Sequence, residues 1–342
     1  MSLIPGVGAV TGFWQVLREI NPQNIIDEAE QLVSVELVGR QGSGRQTIAT
    51  ALAGHPPHPQ SSAWRALQST LLAEDGSLPD EVPTAHLFLY VLDATRGFSA
   101  ADRTPARHLS ARGRRIIYVV NKMDLVDRPG SVMLSARREL GLEQSDEVVF
   151  LTATDQNSIV KELIPAIVRT LPDMGLALAR TLPTLREPIA DRLIVDTSRA
   201  NGEFALASSL PANIPLLGTF LSAGTDMIVL TKNQAMLVFK LAAIYGRSLH
   251  SRSRLAIEIA PVVGAAFVWR TIARTLVGLL PGFIAAVPKT GVAFAGTFVV
   301  GRTAQYYYQW NRRPSPELVR KFGDEARQML IGRFTRLLPG RG

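Results

Sequence analysis

Residues 33–47 read VSVELVGRQGSGRQT, and a helix-forming stretch, IATALAG, follows at 48–54. A β-rich run, Val33–Val38, thus passes through a glycine-rich turn into a helix. That order lets successive backbone N–H groups point into one hollow, with the positive end of the helix dipole behind them. It is the context in which a phosphate-binding loop is credible. Gly39, Gly42 and Gly44 keep the loop of the GxxxxGK[ST] pattern, but Arg45 stands where Lys belongs and Gln46 where Ser or Thr belongs. A guanidinium still meets phosphate charge, although its planar fork is bulkier than an ammonium. Gln46 offers an amide oxygen in place of a compact hydroxyl, which makes the loop's usual Mg²⁺ contact doubtful. Thr47 comes one position too late to substitute without a shift of the loop.

Three further apolar runs follow. Leu87–Leu92 (LFLYVL) ends in Asp93, Ile116–Val120 (IIYVV) ends in Asn121-Lys122-Met123-Asp124, and Val148–Leu151 (VVFL) ends in Thr152-Ala153-Thr154. Helical patterns at Ala101–Arg112, Val132–Leu140 and Ile159–Leu171 lie between and after them. Buried strands alternating with helices predict a mostly parallel α/β sheet with helices on both faces. Ligands on such sheets sit at the carboxyl ends of the strands, where Gly39–Gln46, Asn121–Asp124 and Thr152–Thr154 all fall.

With these motifs in place, residues 30–171 resemble the G domain of Era-like GTPases of the translation-factor class. They resemble most a bacterial subgroup that joins this domain to an uncharacterised, membrane-associated helical domain. Asn121-Lys122-Met123-Asp124 matches NKxD, which implies a guanine nucleotide, GTP or GDP, as ligand. The resemblance implies that Asp124 accepts from guanine N1–H and the exocyclic amine, and that Lys122 packs along the base. Asn121 would tie this loop to the phosphate loop. Thr152-Ala153 would match the Ser-Ala element, whose backbone N–H meets guanine O6. The nucleotide-binding candidates are therefore Gly39, Gly42, Ser43, Gly44, Arg45, Gln46, Thr47, Asn121, Lys122, Asp124, Thr152 and Ala153.

A hydrolysing G domain also needs a DxxG after its third strand, to orient Mg²⁺ and sense the γ-phosphate, and a switch threonine before that strand. Between the glycine-rich loop and Leu87 no β-rich run is visible, and Ser61–Ala73 reads as a helix. Glu74, Asp75, Asp80 and Glu81 are the acids there, none in a DxxG. The literal match Asp127-Arg128-Pro129-Gly130 follows NKMD and lies on the wrong loop. Asp93, an acid closing an apolar strand, is the remaining magnesium candidate. The expectation is weak or moderate binding of guanine nucleotide with slow or absent hydrolysis, and no catalytic residue is assigned. The alternative is an active GTPase whose missing switch parts come from Asp93, a partner or a second subunit.

The chain has 342 residues, 46% hydrophobic and 19% charged, with a formal charge of +8. That composition excludes a disordered chain. The charge is divided unevenly: residues 1–172 hold 16 basic and 19 acidic side chains, residues 173–342 hold 21 and 10. With no cysteine, a disulfide framework, a thiol nucleophile and a Cys-based zinc site are excluded, and a reducing compartment fits. Residues 1–29 read as an amphipathic helix, Phe13–Ile20, and a linker, without a basic leader ahead of the apolar stretch. The G domain is expected over 30–172, a proline-marked hinge and connecting helix over 173–200, and a basic, hydrophobic all-α domain over 201–342.

In that last domain, Asp226–Tyr245 predicts one helix stopped by Gly246. Thr275–Val300 is the most membrane-like stretch, yet Pro281, Pro288 and Gly291 break it. A final amphipathic helix after Pro314 has Ser315 as its cap, with Leu318, Phe322, Met329 and Phe334 as its buried face. Aromatics beside arginines at Tyr306–Arg313 suit an anionic membrane surface, and partner helices are the other reading. The family resemblance adds the inner face of the cell membrane and homo-oligomerisation. Nucleic acid is disfavoured, because no RNP motif, zinc knuckle or helix-turn-helix accompanies the arginines. His55 and His58 lack an acidic or Cys partner and carry no metal expectation.

Overall fold

The computed structural model describes residues 21–207, 223–250 and 287–337, apart from positions 59, 74, 76, 79–83 and 112. After a short helix α1 (Gln23–Ala29), five strands build one sheet: β1 (Val35–Gly39), β2 (Leu67–Leu71), β3 (Leu87–Asp93), β4 (Ile116–Asn121) and β5 (Glu147–Phe150). They lie in the order β2-β1-β3-β4-β5, and every pairing is parallel. Helices connect them: α2 (Arg45–Ala53), α3 (Ser62–Ala66), α4 (Ala100–Ala111) and α5 (Pro129–Leu140). After β5, a π-helical segment, Ile159–Leu163, runs into α6 (Ile164–Thr170). The first compact unit, Asp27–Ile189, is thus an α/β domain with a parallel sheet flanked by helices.

Its core has two layers because alternate strand residues face opposite ways. On one face Val38, Phe88, Tyr90, Leu92, Tyr118 and Val120 bury against Ala106 and Leu109 of α4 and Ala136 and Leu140 of α5. Tyr90 and Tyr118 meet edge to face at 6.1 Å, and the Tyr90 hydroxyl donates to the carbonyl of Asp102 at 2.9 Å. The alternating residues Leu37, Leu89 and Val119 are fully buried on the other face.

One expectation is corrected. Ser61–Ala73 is not a single helix: only α3 is helical, and the chain turns at Leu67 directly into β2. The strand escapes notice because β2 is a sheet edge, where Gln68, Ser69 and Leu71 stay exposed and only Leu67 and Thr70 bury. Pairing with β1 decides its structure, helped by the Thr70 hydroxyl, which donates to the buried Glu36 carboxylate at 2.8 Å. Only residues 54–61 separate α2 from α3, too few for another strand with its turns. The sheet therefore gains one of the two strands missing from the sequence reading, and α2 leads to it without an intervening strand.

The proline-marked stretch at 172–188 folds into a turn at Pro172–Met174, α7 (Gly175–Thr181), a turn at Pro183–Leu185 and the start of α8 (Arg186–Ala207). Leu176, Leu178, Leu182 and Leu185 are buried. The second unit, from Ala190 onward, is an all-α region. It contains most of α8, then α9 (Ala223–Ile244), α10 (Val287–Trp310) and α11 (Pro316–Leu337). As expected, α9 stops at Gly246, which takes φ +76°, and Ser315 caps α11 through its hydroxyl and carbonyl. On α11 the buried positions are Val319, Gly323 and Ala326, while Leu318, Phe322 and Met329 are half-buried. Phe13–Ile20, residues 275–286 of the apolar stretch Thr275–Val300, and the side chain of Phe334 lie outside the described residues. Among those described, no helix is long and apolar enough to cross a membrane.

A polar layer runs through this bundle. Asn201 donates to the Thr297 hydroxyl at 2.8 Å and accepts from Asn233 at 2.7 Å, and Gln234 also donates to Thr297. Arg302, stacked 5.2 Å from the Phe298 ring, bonds Asp191, Gln305 and Glu325. Three helices meet closely at Gly301, where an added Cβ would fall 2.7 Å from Ile194 Cγ1 and 3.1 Å from Leu237 Cδ2. Because both neighbours are fully buried, Gly301→Ala should cost about 1–3 kcal/mol. Chemical denaturation measures that loss, and Ile194→Ala in the same chain should recover part of it.

Candidate functional site

Parallel topology brings the carboxyl ends of all the strands to one edge of the sheet. There Gly39 closes β1, and Arg40–Gly44 wrap into α2 (Arg45–Ala53). Gly42 and Gly44 take φ of +77° and +98°, the left-handed region that side chains avoid. The N–H groups of Gln41, Gly42 and Gly44 have no backbone acceptor, and those of Arg45 and Gln46 open the first turn of the helix. The loop therefore presents a row of free donors above a helix N-terminus, a geometry suited to an anion.

Asn121, the last residue of β4, is 3% exposed and reaches across this edge. Its Nδ2 donates to the carbonyl of Ser43 at 2.9 Å, and its Oδ1 accepts the N–H of Ala153 at 2.9 Å. One side chain thereby ties the β1, β4 and β5 loops together. The fit leaves no room at Gly44, where an added Cβ would lie 2.1 Å from Nδ2. The N–H of Ala153, which the sequence reading assigns to guanine O6, thus already has an acceptor in Asn121.

Lys122 follows in the left-handed region, with φ 66°. Its ammonium donates to Asp93 Oδ2 at 2.6 Å. Asp93 Oδ1 accepts the N–H and hydroxyl of Thr95, at 3.0 and 2.6 Å, and Arg96 Nε stands 3.7 Å from Oδ2. Burial alone pushes the Asp93 carboxyl up, but the hydrogen bonds from Lys122 and Thr95 outweigh it and hold the group below the usual aspartate range. Asp124 is exposed and accepts the Thr152 hydroxyl at 3.1 Å, while the N–H of Thr152 donates to Ser158.

The sequence-predicted residues are therefore gathered at one edge, with exceptions in the first turn of α2. Arg45 packs its Cδ against Gly39 and donates from Nη1 to Ser69 of β2 at 2.8 Å. Burial pushes its pKa down, partly countered by the charge of Glu36. Gln46 and Thr47 are exposed. Sequence reasoning missed Arg40, Arg96, Ser99 and Asp102, which with Ser43 and Asp93 line a cavity of about 90 Å³ beside the loop. Arg40 Nε pairs with Asp102 Oδ1 at 3.2 Å. The only signal for Arg40 was its place inside the glycine-rich loop, and Arg96 carried none.

No family model matches the chain, and no curated protein matches it. Among solved structures, it is similar to translation elongation factor SelB from Methanococcus maripaludis in its apo form, at 19% identity and a TM-score of 0.28. That match covers 41% of this chain and 33% of SelB. A mutation variant of SsGBP matches at 17% identity and a TM-score of 0.31, over 50% of this chain and 66% of that one. Both likenesses are weak and partial.

Two substitutions test the geometry. Asn121→Ala strands the Ser43 carbonyl and the Ala153 N–H, and should cost about 2–4 kcal/mol in urea unfolding. The Asp93 pairing gives stability that is fully present above its unfolded pKa of about 3.9 and is lost as pH falls through the lower folded value. Asp93→Asn should therefore flatten the fall in thermal midpoint between about pH 5 and pH 2, measured by circular dichroism.

Proposed function

We propose that the α/β unit is a guanine-nucleotide-binding domain of the GTPase type that retains base recognition and has lost efficient hydrolysis. The supporting observation is the double bond of Asn121, which couples the phosphate loop at Ser43 to the strand-end loop at Ala153. That coupling sets Lys122 and Asp124 beside an anion-binding loop, the arrangement a nucleotide base and its phosphates require together. Asp124, exposed and held by a single hydroxyl, is the acceptor proposed for guanine N1–H and amine. Adenine has no N1–H to offer it, so the carboxylate would be left unpaired against ATP.

Hydrolysis is a different matter, because its hardware has no candidates among the described residues. The strand beside β1 is followed by Leu72 and Ala73, where a DxxG domain would carry its metal-orienting aspartate. Among the described residues, the next carboxylate along the chain, Asp75, is spent on a local turn, accepting the N–H of Ser77 at 2.8 Å. Gln46 brings an exposed amide, and both oxygens of Asp93 are engaged by protein groups. Magnesium does not fit this donor set. Without it, and without a switch strand between α2 and α3, little remains to position water or neutralise the γ-phosphate. The second unit, with its basic surplus, is proposed as the attachment to an anionic membrane surface or to partner helices. The whole chain is then a regulatory scaffold.

Equilibrium binding should show GTP and GDP at least about tenfold tighter than ATP. Asp124→Asn should move that preference toward xanthine nucleotides, whose carbonyl replaces the guanine amine. GTP turnover should stay at or below roughly 10⁻³ per second with or without anionic vesicles. Faster, magnesium-dependent turnover that disappears in Arg45→Ala would overturn the proposal.

A further inference from the structure

The cavity beside the glycine-rich loop holds two acids and two arginines, and their bonding states differ. Asp93 is fully engaged: Oδ1 by Thr95, Oδ2 by Lys122. Asp102 is likewise engaged, accepting the N–H and hydroxyl of Ser99 on Oδ2 and meeting Arg40 on Oδ1. The donors are not used up. Arg40 Nη2 is buried without a hydrogen-bond partner. Ser43 Oγ, on a residue only 2% exposed, also has none. Arg96 is 61% exposed along its side chain, and its Nη2 lies 3.8 Å from where a Cβ on Gly42 would sit. One guanidinium therefore rises from the loop itself, and a second leans over it from the turn after β3. A cavity whose carboxylates are satisfied, while a buried hydroxyl and a buried guanidinium nitrogen have no hydrogen-bond partner and a second guanidinium stands exposed at its rim, is built to receive negative charge.

We infer that Arg40 and Arg96, with the Ser43 hydroxyl, supply to a bound polyphosphate the positive charge that a divalent cation brings in magnesium-dependent nucleotide sites. The ligand class is a nucleoside di- or triphosphate bound through its two terminal phosphates without metal. The inference rests on the guanine-nucleotide proposal for the identity of the base, but not for the phosphate contacts. It accounts for two features together. The loop lacks a hydroxyl at position 46 and the chain just beyond β2 has Ala73 rather than an acid, so among the described residues a metal has no seat. Guanidinium groups need no such seat, because they bind phosphate oxygens directly and bidentately. Arg45, turned toward Ser69, is not counted among them.

Two probes separate the inference from the reading beneath it: GTP and inorganic pyrophosphate, each titrated into the full-length protein with excess EDTA or with magnesium. The expected result is that both bind in EDTA and that magnesium changes the affinity less than about threefold. Arg96→Ala, an exposed change that leaves folding intact, and Arg40→Ala should each weaken both probes roughly tenfold. Arg96→Glu should weaken them further, with an unchanged circular dichroism spectrum. GTP binding that requires magnesium, or metal-free binding indifferent to both arginines, overturns the inference and leaves guanine recognition standing. Arginine-dependent, metal-free binding of pyrophosphate without preference for GTP over ATP supports the inference and removes the guanine reading. If neither probe binds under any condition, both fall.

Discussion

The bifurcated role of one buried amide, Asn121, is the constraint on which the site depends. Strands β1, β4 and β5 end on the same edge of the sheet, but nothing in a parallel ladder fixes how the loops beyond those ends meet. A carboxamide solves this because it is both donor and acceptor: Nδ2 takes the Ser43 carbonyl and Oδ1 takes the Ala153 N–H. Asp or Leu of similar size could make one bond or none. The requirement propagates outward. Gly44 must be bare because the amide occupies its side-chain volume, and Lys122 must leave the strand in a left-handed turn so that its ammonium can reach Asp93.

Around that tie, charge is arranged in two tiers. The carboxylates of Asp93 and Asp102 are consumed in holding other protein groups, so they shape the pocket without offering themselves to a ligand. The cations are held at one end and free at the other. Such a site favours an anion while keeping its own fold independent of that anion, because each acid already has its counter-charge. In the second unit Arg302 spends its two terminal nitrogens on Asp191, Gln305 and Glu325, and its role is to lock helices.

Much of this was legible in the residues. The runs at 87–92 and 116–120 are continuous and apolar because both faces of the central strands are covered, and continuous apolar runs are easily read. The helix read at 226–245, which the structure places at Ala223–Ile244, and its glycine stop were also visible, since a long apolar run and a glycine terminator are local signals. β2 was not, because an edge strand with Gln68-Ser69-Thr70 at its centre has neither the hydrophobic run nor the alternation that marks a strand. Arg40 and Arg96 were illegible for a different reason. Their significance lies in what Asp93, Asp102 and Ser99 do to the same pocket, and those bonds join residues far apart in sequence. The motif NKMD marked the loop after β4, but only the folded chain shows that its lysine and the Asp93 carboxylate form a pair.

That pair has a thermodynamic corollary. A lysine backbone at φ 66° carries roughly 1–3 kcal/mol of conformational cost, borne here because the ion pair with Asp93 rewards the side chain for standing there. Backbone and side chain are thus balanced against each other at one residue: what the left-handed peptide costs, the ammonium's place beside the carboxylate offsets.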